Sequence, residues 1–106
     1  MKTSIQDRLR QVAARYEEVG LLLSDQEVFS EPNRYRELSK EYAQLEPLAR
    51  SWRRWKTAQS AVEEARQMLD ESDPELRAMA RDELADGRRE LAILDDMLLD
   101  LLEDER

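Results

Sequence analysis

The chain has 106 residues and a formal net charge of −8, with 40% of its residues charged and neither histidine nor cysteine. One small domain of this kind has no disulfide and no thiolate nucleophile. It also lacks the imidazole on which most general acid–base chemistry and transition-metal binding depend. Aromatic residues are only 6%, and more than half of the chain is Ala, Glu, Lys, Leu or Arg, a composition of long helices or coiled coils rather than of a thick core.

The charge is unevenly spread. Residues 34–56 carry 7 basic against 3 acidic groups, whereas residues 57–106 carry 6 against 16. The chain is therefore acidic overall with one basic stretch, which leaves a local contact with nucleic acid open. No apolar run approaches a signal sequence or a membrane span, so the expected compartment is the cytoplasm and no membrane partner is expected.

In chain order, Ile5, Leu9, Val12, Tyr16, Val19 and Leu23 recur every three or four residues and predict a first helix over about 5–23. Ser4 is placed to cap it, and Asp7 suits the positive end of its dipole. Gly20 weakens its last turns by about 1 kcal/mol relative to alanine. Ser24 to Glu31 breaks the period and reads as a short loop, with Val28 and Phe29 as a small apolar plug. A loop that short makes the flanking helices antiparallel neighbours.

Ser30-Glu31-Pro32 opens the second helix, since proline suits a first turn whose amide has no intrahelical partner. Tyr35, Leu38, Tyr42, Leu45, Ala49, Trp52, Trp55, Ala58, Val62, Ala65 and Leu69 then hold one seam from about 33 to 70. Pro47 lies inside it, where the lost hydrogen bond and the clash with the Ala43 carbonyl cost about 3 kcal/mol. Because the seam keeps its phase across Pro47, a kinked but continuous helix is expected rather than two helices.

Ser72-Asp73-Pro74-Glu75 is the strongest punctuation in the chain, with Asp73 as cap and Pro74 as the first helical residue. The third helix spans about 74–102 on a seam of Leu76, Ala80, Leu84, Gly87, Leu91, Leu94, Leu98 and Leu101. Gly87 either lets two backbones approach closely or is a tolerated weak point; the pattern leaves both open. The run Leu98 to Leu102 is apolar near the end of the chain, as in a piece of a longer protein or a helix end that docks on a partner. The expected fold is all-α: an antiparallel three-helix hairpin, a coiled-coil-like bundle with a long, kinked central helix.

No catalytic constellation is visible, and the chain is not expected to be an enzyme. The acid pairs Glu17-Glu18, Glu63-Glu64 and Asp95-Asp96 are adjacent helical residues that point about 100° apart. No glycine-rich phosphate loop and no metal-ligand spacing occur, so neither cofactor, metal nor small-molecule ligand is expected. The locally unusual surface is Arg50-Ser-Trp-Arg-Arg-Trp-Lys56. Arg50, Arg53, Arg54 and Lys56 beside two tryptophans suit phosphate contact with base stacking. The seam, however, predicts Trp52 and Trp55 as core anchors and the basic residues as a solvated flank, and that reading is favoured. The acids Asp82, Glu83, Asp86, Glu90, Asp95 and Asp96 read as a solvated face, with docking on a basic partner as the alternative.

Met1-Lys-Thr-Ser-Ile-Gln-Asp-Arg-Leu9, Arg15-Tyr-Glu-Glu-Val19 and above all Tyr35-Arg-Glu-Leu-Ser-Lys-Glu-Tyr-Ala-Gln-Leu45 resemble the amino-terminal domain of bacterial peptide chain release factor 1. Glu64-Ala-Arg-Gln-Met-Leu-Asp70 and Met79-Ala-Arg-Asp-Glu-Leu84 are similar to the part that follows. The resemblance implies a helical domain, spanning residues 1–106, that stands beside decoding and catalytic domains and reaches toward the stalk base of the large ribosomal subunit. It implies translation termination at the stop codons UAA and UAG by a full-length protein that is subject to methylation. The Gly-Gly-Gln and Pro-x-Thr tripeptides that carry hydrolysis and codon reading in that family have no counterpart in this sequence. The segment is therefore expected to serve ribosome or partner contact and positioning, with Arg50, Arg53, Arg54 and Lys56 as the candidate contacts. The rival reading is a free-standing coiled-coil adaptor or oligomerisation module. Leu22, Leu48, Leu99 and Leu102, left over from the seams, are the residues that would pair two copies of the isolated fragment.

Overall fold

The computed structural model describes residues 1–104. Among them the secondary structure is entirely helical: α1 (Thr3–Leu23), α2 (Gln26–Phe29), α3 (Pro32–Met68) and α4 (Pro74–Asp104). α1 packs antiparallel to the first part of α3 and α4 to its second part, as the seams predict. The chain divides into two compact units, Met1–Trp52 and Arg53–Arg106, with α3 contributing its first part to one and its second part to the other.

In the first unit α1 lies antiparallel to the beginning of α3. Val19 clusters with Leu38, the Tyr16 ring stacks on Tyr42 at 4.3 Å, and the Arg10 guanidinium sits 5.9 Å from the Trp52 ring centre, so α3 numbers rise as α1 numbers fall. Leu9, Val12 and Val19 are buried, each burial contributing about 1.5–3 kcal/mol for a fully enclosed aliphatic side chain. The end of the unit is closed by Val28, which joins Val19 and Leu38 while Leu22, Leu23, Tyr35 and Tyr42 pack around them.

In the second unit α4 runs back along the rest of α3. Val62 and Ala65 cluster with Leu84, and Leu69 and Leu91 pack at the edges of that cluster. Further along, Trp55 reaches Asp95. Ala80, Leu84, Leu94 and Leu98 are the buried positions of α4, all on the expected seam.

Helix ends show what the periodicity leaves out. The first helix starts at Thr3 with Lys2 as its cap and no side-chain cap bond, so Ser4 is helical and does not cap it. The Lys2 carbonyl accepts from both Ile5 N and Gln6 N at 3.1 Å, and the Gln6 amide donates to the Met1 carbonyl at 2.9 Å. The stretch read as a loop contains the single turn α2, capped by Asp25, whose Oδ1 accepts from Glu27 N at 2.9 Å. Of the expected plug only Val28 goes inward, while Phe29 is 68% exposed.

Helix α3 runs unbroken through Pro47. The amide that proline lacks would have bonded the carbonyl of Ala43, an exposed residue that water can reach, which limits the penalty. Leu48, expected to be left over from the seam, is instead buried at 1% exposure and belongs to the core. Between α3 and α4, Asp73 caps as expected, its Oδ1 accepting from Glu75 N at 2.9 Å.

Candidate functional site

The basic stretch is positioned by the tryptophans beside it. Trp52 is 2% exposed and Trp55 7%, so both indoles are core anchors and neither offers a face to a base. With residues 52, 55 and 58 turned inward, helical geometry sends 50, 53, 54 and 56 outward, and all four are exposed. What this surface presents is guanidinium and ammonium charge without aromatic stacking.

The four cations are not equivalent. In the first unit, Arg50 donates to the Glu46 carboxylate one turn earlier at 3.0 Å. In the second, Arg54 crosses to α4 and donates to Glu90 Oε1 at 2.6 Å. Glu90, expected to be part of a solvated acidic face, is thus an inter-helix partner. Asp95 departs from that expectation more clearly: it is half-buried and accepts from the Trp55 indole N–H at 2.8 Å. Arg53 takes no ion pair among the described residues, and its guanidinium remains the one most readily committed to an outside anion. Lys56 is exposed on α3, one residue beyond Trp55.

Around Arg53 and Arg54 the surface forms a shallow depression of about 370 Å³, floored by Ala58 and Ala61 and rimmed by Thr57 and Glu90. The Thr57 hydroxyl donates back to the Arg53 carbonyl at 3.1 Å, a local bond that leaves its oxygen free to accept only. An anion here would be held by Arg53, and by Arg54 only if it competes with Glu90.

The first unit holds a second polar surface that residue spacing does not reveal. Arg15 donates through Nε and Nη2 to the two Glu41 oxygens at 2.6 and 2.7 Å, and through Nη1 to Glu18 at 2.8 Å. The Arg15 hydrogen bonds hold the Glu41 carboxyl below its ordinary pKa, against the opposing effect of partial burial. An open groove of about 540 Å³ beside this pair is lined by Arg34, Glu37, Leu38, Lys40 and Gln44. Its mixed charge selects no single ligand class. The pair joins residues 26 apart in sequence, so no motif scan would find it.

Among the described residues no helix is long and apolar enough to cross a membrane. No solved structure matches the chain. The PCRF domain matches residues 12–106, nearly the whole length and including the Tyr35–Leu45 run. The chain belongs to the PCRF domain family, the domain of class I peptide chain release factors, which act on the ribosome in translation termination.

Proposed function

We propose that this chain is the helical amino-terminal part of a release factor of the first type, acting in the cytoplasm at UAA and UAG codons. Its own role is contact with the ribosome near the large-subunit stalk base and positioning of the rest of the factor. It is not itself the enzyme: it takes no part in codon reading or ester hydrolysis, for which it has neither Gly-Gly-Gln nor Pro-x-Thr. The Tyr35–Leu45 wording supports the first type over the second.

The observation that carries the contact role is the outward presentation of Arg50, Arg53, Arg54 and Lys56 on an otherwise acidic chain, with the adjacent tryptophans locked inward. Cations on a rigid helix bind phosphate with release of counterions, which makes the affinity depend on salt. The test is ribosome binding by the full chain with Arg50→Glu, Arg53→Glu and Arg54→Glu, measured over a salt series beside circular dichroism. Weaker binding at low salt is expected, with the slope of log K against log salt reduced by about 0.7–0.9 for each phosphate no longer neutralised. Unchanged affinity in a folded variant removes the basic stretch from the interface. Release of a peptide from peptidyl-tRNA by this chain alone would overturn the division of labour.

A further inference from the structure

Arg53 and Arg54 are neighbours on one helix with different commitments. Among the described residues Arg54 is tied through Nη2 alone, to Glu90 Oε1 at 2.6 Å, while Arg53 takes no ion pair. A guanidinium has five N–H donors, so one bond leaves most of Arg54 unused. The Arg15–Glu41 pair shows the opposite arrangement, with both carboxylate oxygens held and Glu18 on the remaining nitrogen.

Both partners of the Arg54 pair are open to water, their side chains 51% and 39% exposed. Exposed pairs of this kind add little to stability. The two helices are joined here by Val62, Ala65 and Leu84 and by the Trp55–Asp95 bond. The ion pair can therefore be exchanged without opening the fold. A displaced Glu90 finds no second cation on its own helix, because the positions three and four residues away are Asp86, Gly87, Ile93 and Leu94. It stays beside the depression as an unneutralised negative charge.

What can displace it follows from its tether. An intramolecular carboxylate acts at a high effective concentration, so a lone carboxylate from outside offers the same bond and loses. A phosphodiester strand has the advantage, because adjacent phosphates engage Arg53 as well and counterions are released from the strand.

We propose that Glu90 is a built-in competitor for Arg54, which an RNA phosphate must displace to occupy the depression lined by Arg53, Arg54 and Thr57. This rests on the ribosome-contact reading and adds the regulation of that surface: Arg53 engages at once, Arg54 only after exchange. The experiment measures ribosome binding by the full chain at low salt for Glu90→Gln, Arg53→Gln, Arg54→Gln and the double variant Glu90→Gln with Arg54→Gln, beside circular dichroism. Glu90→Ala, a better helix former, serves as a second variant at that position. Glu83→Gln, two turns earlier on α4, controls for the loss of one negative charge. Removing the Glu90 carboxylate is expected to tighten binding about two- to fivefold, the reach of an exposed pair. The gain should vanish in the Arg54→Gln background and be smaller for Glu83→Gln. Polyuridylate should compete with ribosomes for the parent chain better than polyglutamate of equal charge. Unchanged or weaker binding without the Glu90 carboxylate, the same gain without Arg54 or from Glu83→Gln, or equal competition by polyglutamate would each overturn the inference. Full affinity in Arg53→Gln and Arg54→Gln removes the basic stretch from the interface and this inference with it. Weakened arginine variants beside an unchanged Glu90→Gln sink this inference alone and leave the proposed function standing.

Discussion

Val62 of α3 stands directly over Gly87 of α4: a Cβ built on Gly87 would lie 2.6 Å from Val62 Cγ2, with the Val62 Cα only 3.9 Å away. The glycine therefore lets the two helices close on each other and is not a tolerated weak point. Valine in a helix is nearly confined to one χ1 rotamer, so its methyl has little room to swing aside. Gly87→Ala gains about 1 kcal/mol of helix propensity and meets an overpacking cost of about 1–3 kcal/mol. The expected result is a net loss in urea unfolding, recovered when Val62→Ala is added, because that change removes the obstructing methyl. An additive double variant would mean that the contact is not the cause.

Gly20 supplies the contrast. A Cβ there would lie 3.3 Å from Tyr42 Cε2, the rim of a ring stacked on Tyr16 with 9° between the planes. A few tenths of an ångström of sliding within that stack relieves the contact, so Gly20→Ala keeps most of the propensity gain of about 1 kcal/mol. Unfolding midpoints for Gly20→Ala and Gly87→Ala should move in opposite directions.

Asp95 is the acceptor for the indole of a tryptophan that is 7% exposed. Asp95→Ala removes that acceptor from a nearly buried donor and is expected to cost about 1–3 kcal/mol, whereas Asp95→Asn, which retains a side-chain oxygen, should cost less. Trp55 fluorescence reports the same event locally: a red shift in the alanine variant marks water reaching the indole. An alanine variant as stable as the parent chain would show that the bond at 2.8 Å contributes nothing.

These pairings mark the limit of what periodicity can say. The phase of the seam identifies Trp52, Trp55, Val62 and Leu84 as inward residues, because burial of an apolar stripe is what a 3.5-residue rhythm encodes. It also places Arg53 and Arg54 outward. It does not separate them, since which cation crosses to Glu90 depends on how far two helices lie apart. Asp95 escapes it for the same reason: a charge beside the seam looks solvated until its partner on the other helix is known. The turn α2 is too short to have a period at all, and only its cap, Asp25, is written in the sequence. Leu48 looks surplus to the seam because the stripe widens near Trp52, where Leu45, Leu48, Ala49, Ser51 and Trp55 are all buried.

The pair Arg15–Glu41 gives the first unit a pH dependence with a definite sign. The Glu41 carboxyl is held below its ordinary pKa by the hydrogen bonds from Arg15. Its contribution is complete above the unfolded value of about 4.3 and is lost as pH falls through the lower folded value. Arg15 is shifted the other way and stays charged throughout that range. Glu41→Gln should therefore lose stability at neutral pH and converge with the parent chain in acid. Both side chains are partly exposed, so the difference is small and shrinks in high salt. Parallel curves of stability against pH for the two proteins would exclude the pair as a titrating contact.

The turn between α3 and α4 is held by Arg77 as well as by the Asp73 cap. Arg77 Nη1 donates to the carbonyls of Glu71 and Ser72 at 2.8 and 2.9 Å, closing a loop that α3 leaves through tightened bonds from Leu69 N to Arg66 O and Asp70 N to Gln67 O. Removing the cap with Asp73→Ala should cost about 1 kcal/mol and fray the start of α4. Arg77→Ala frees two exposed carbonyls that water can serve, so its expected cost in global stability is small. Amide exchange separates the two: Asp73→Ala should speed exchange at the beginning of α4, Arg77→Ala at residues 69–73 alone. If Arg77→Ala instead lowers stability as far as the loss of the cap does, the arginine anchors the helix pair rather than the turn.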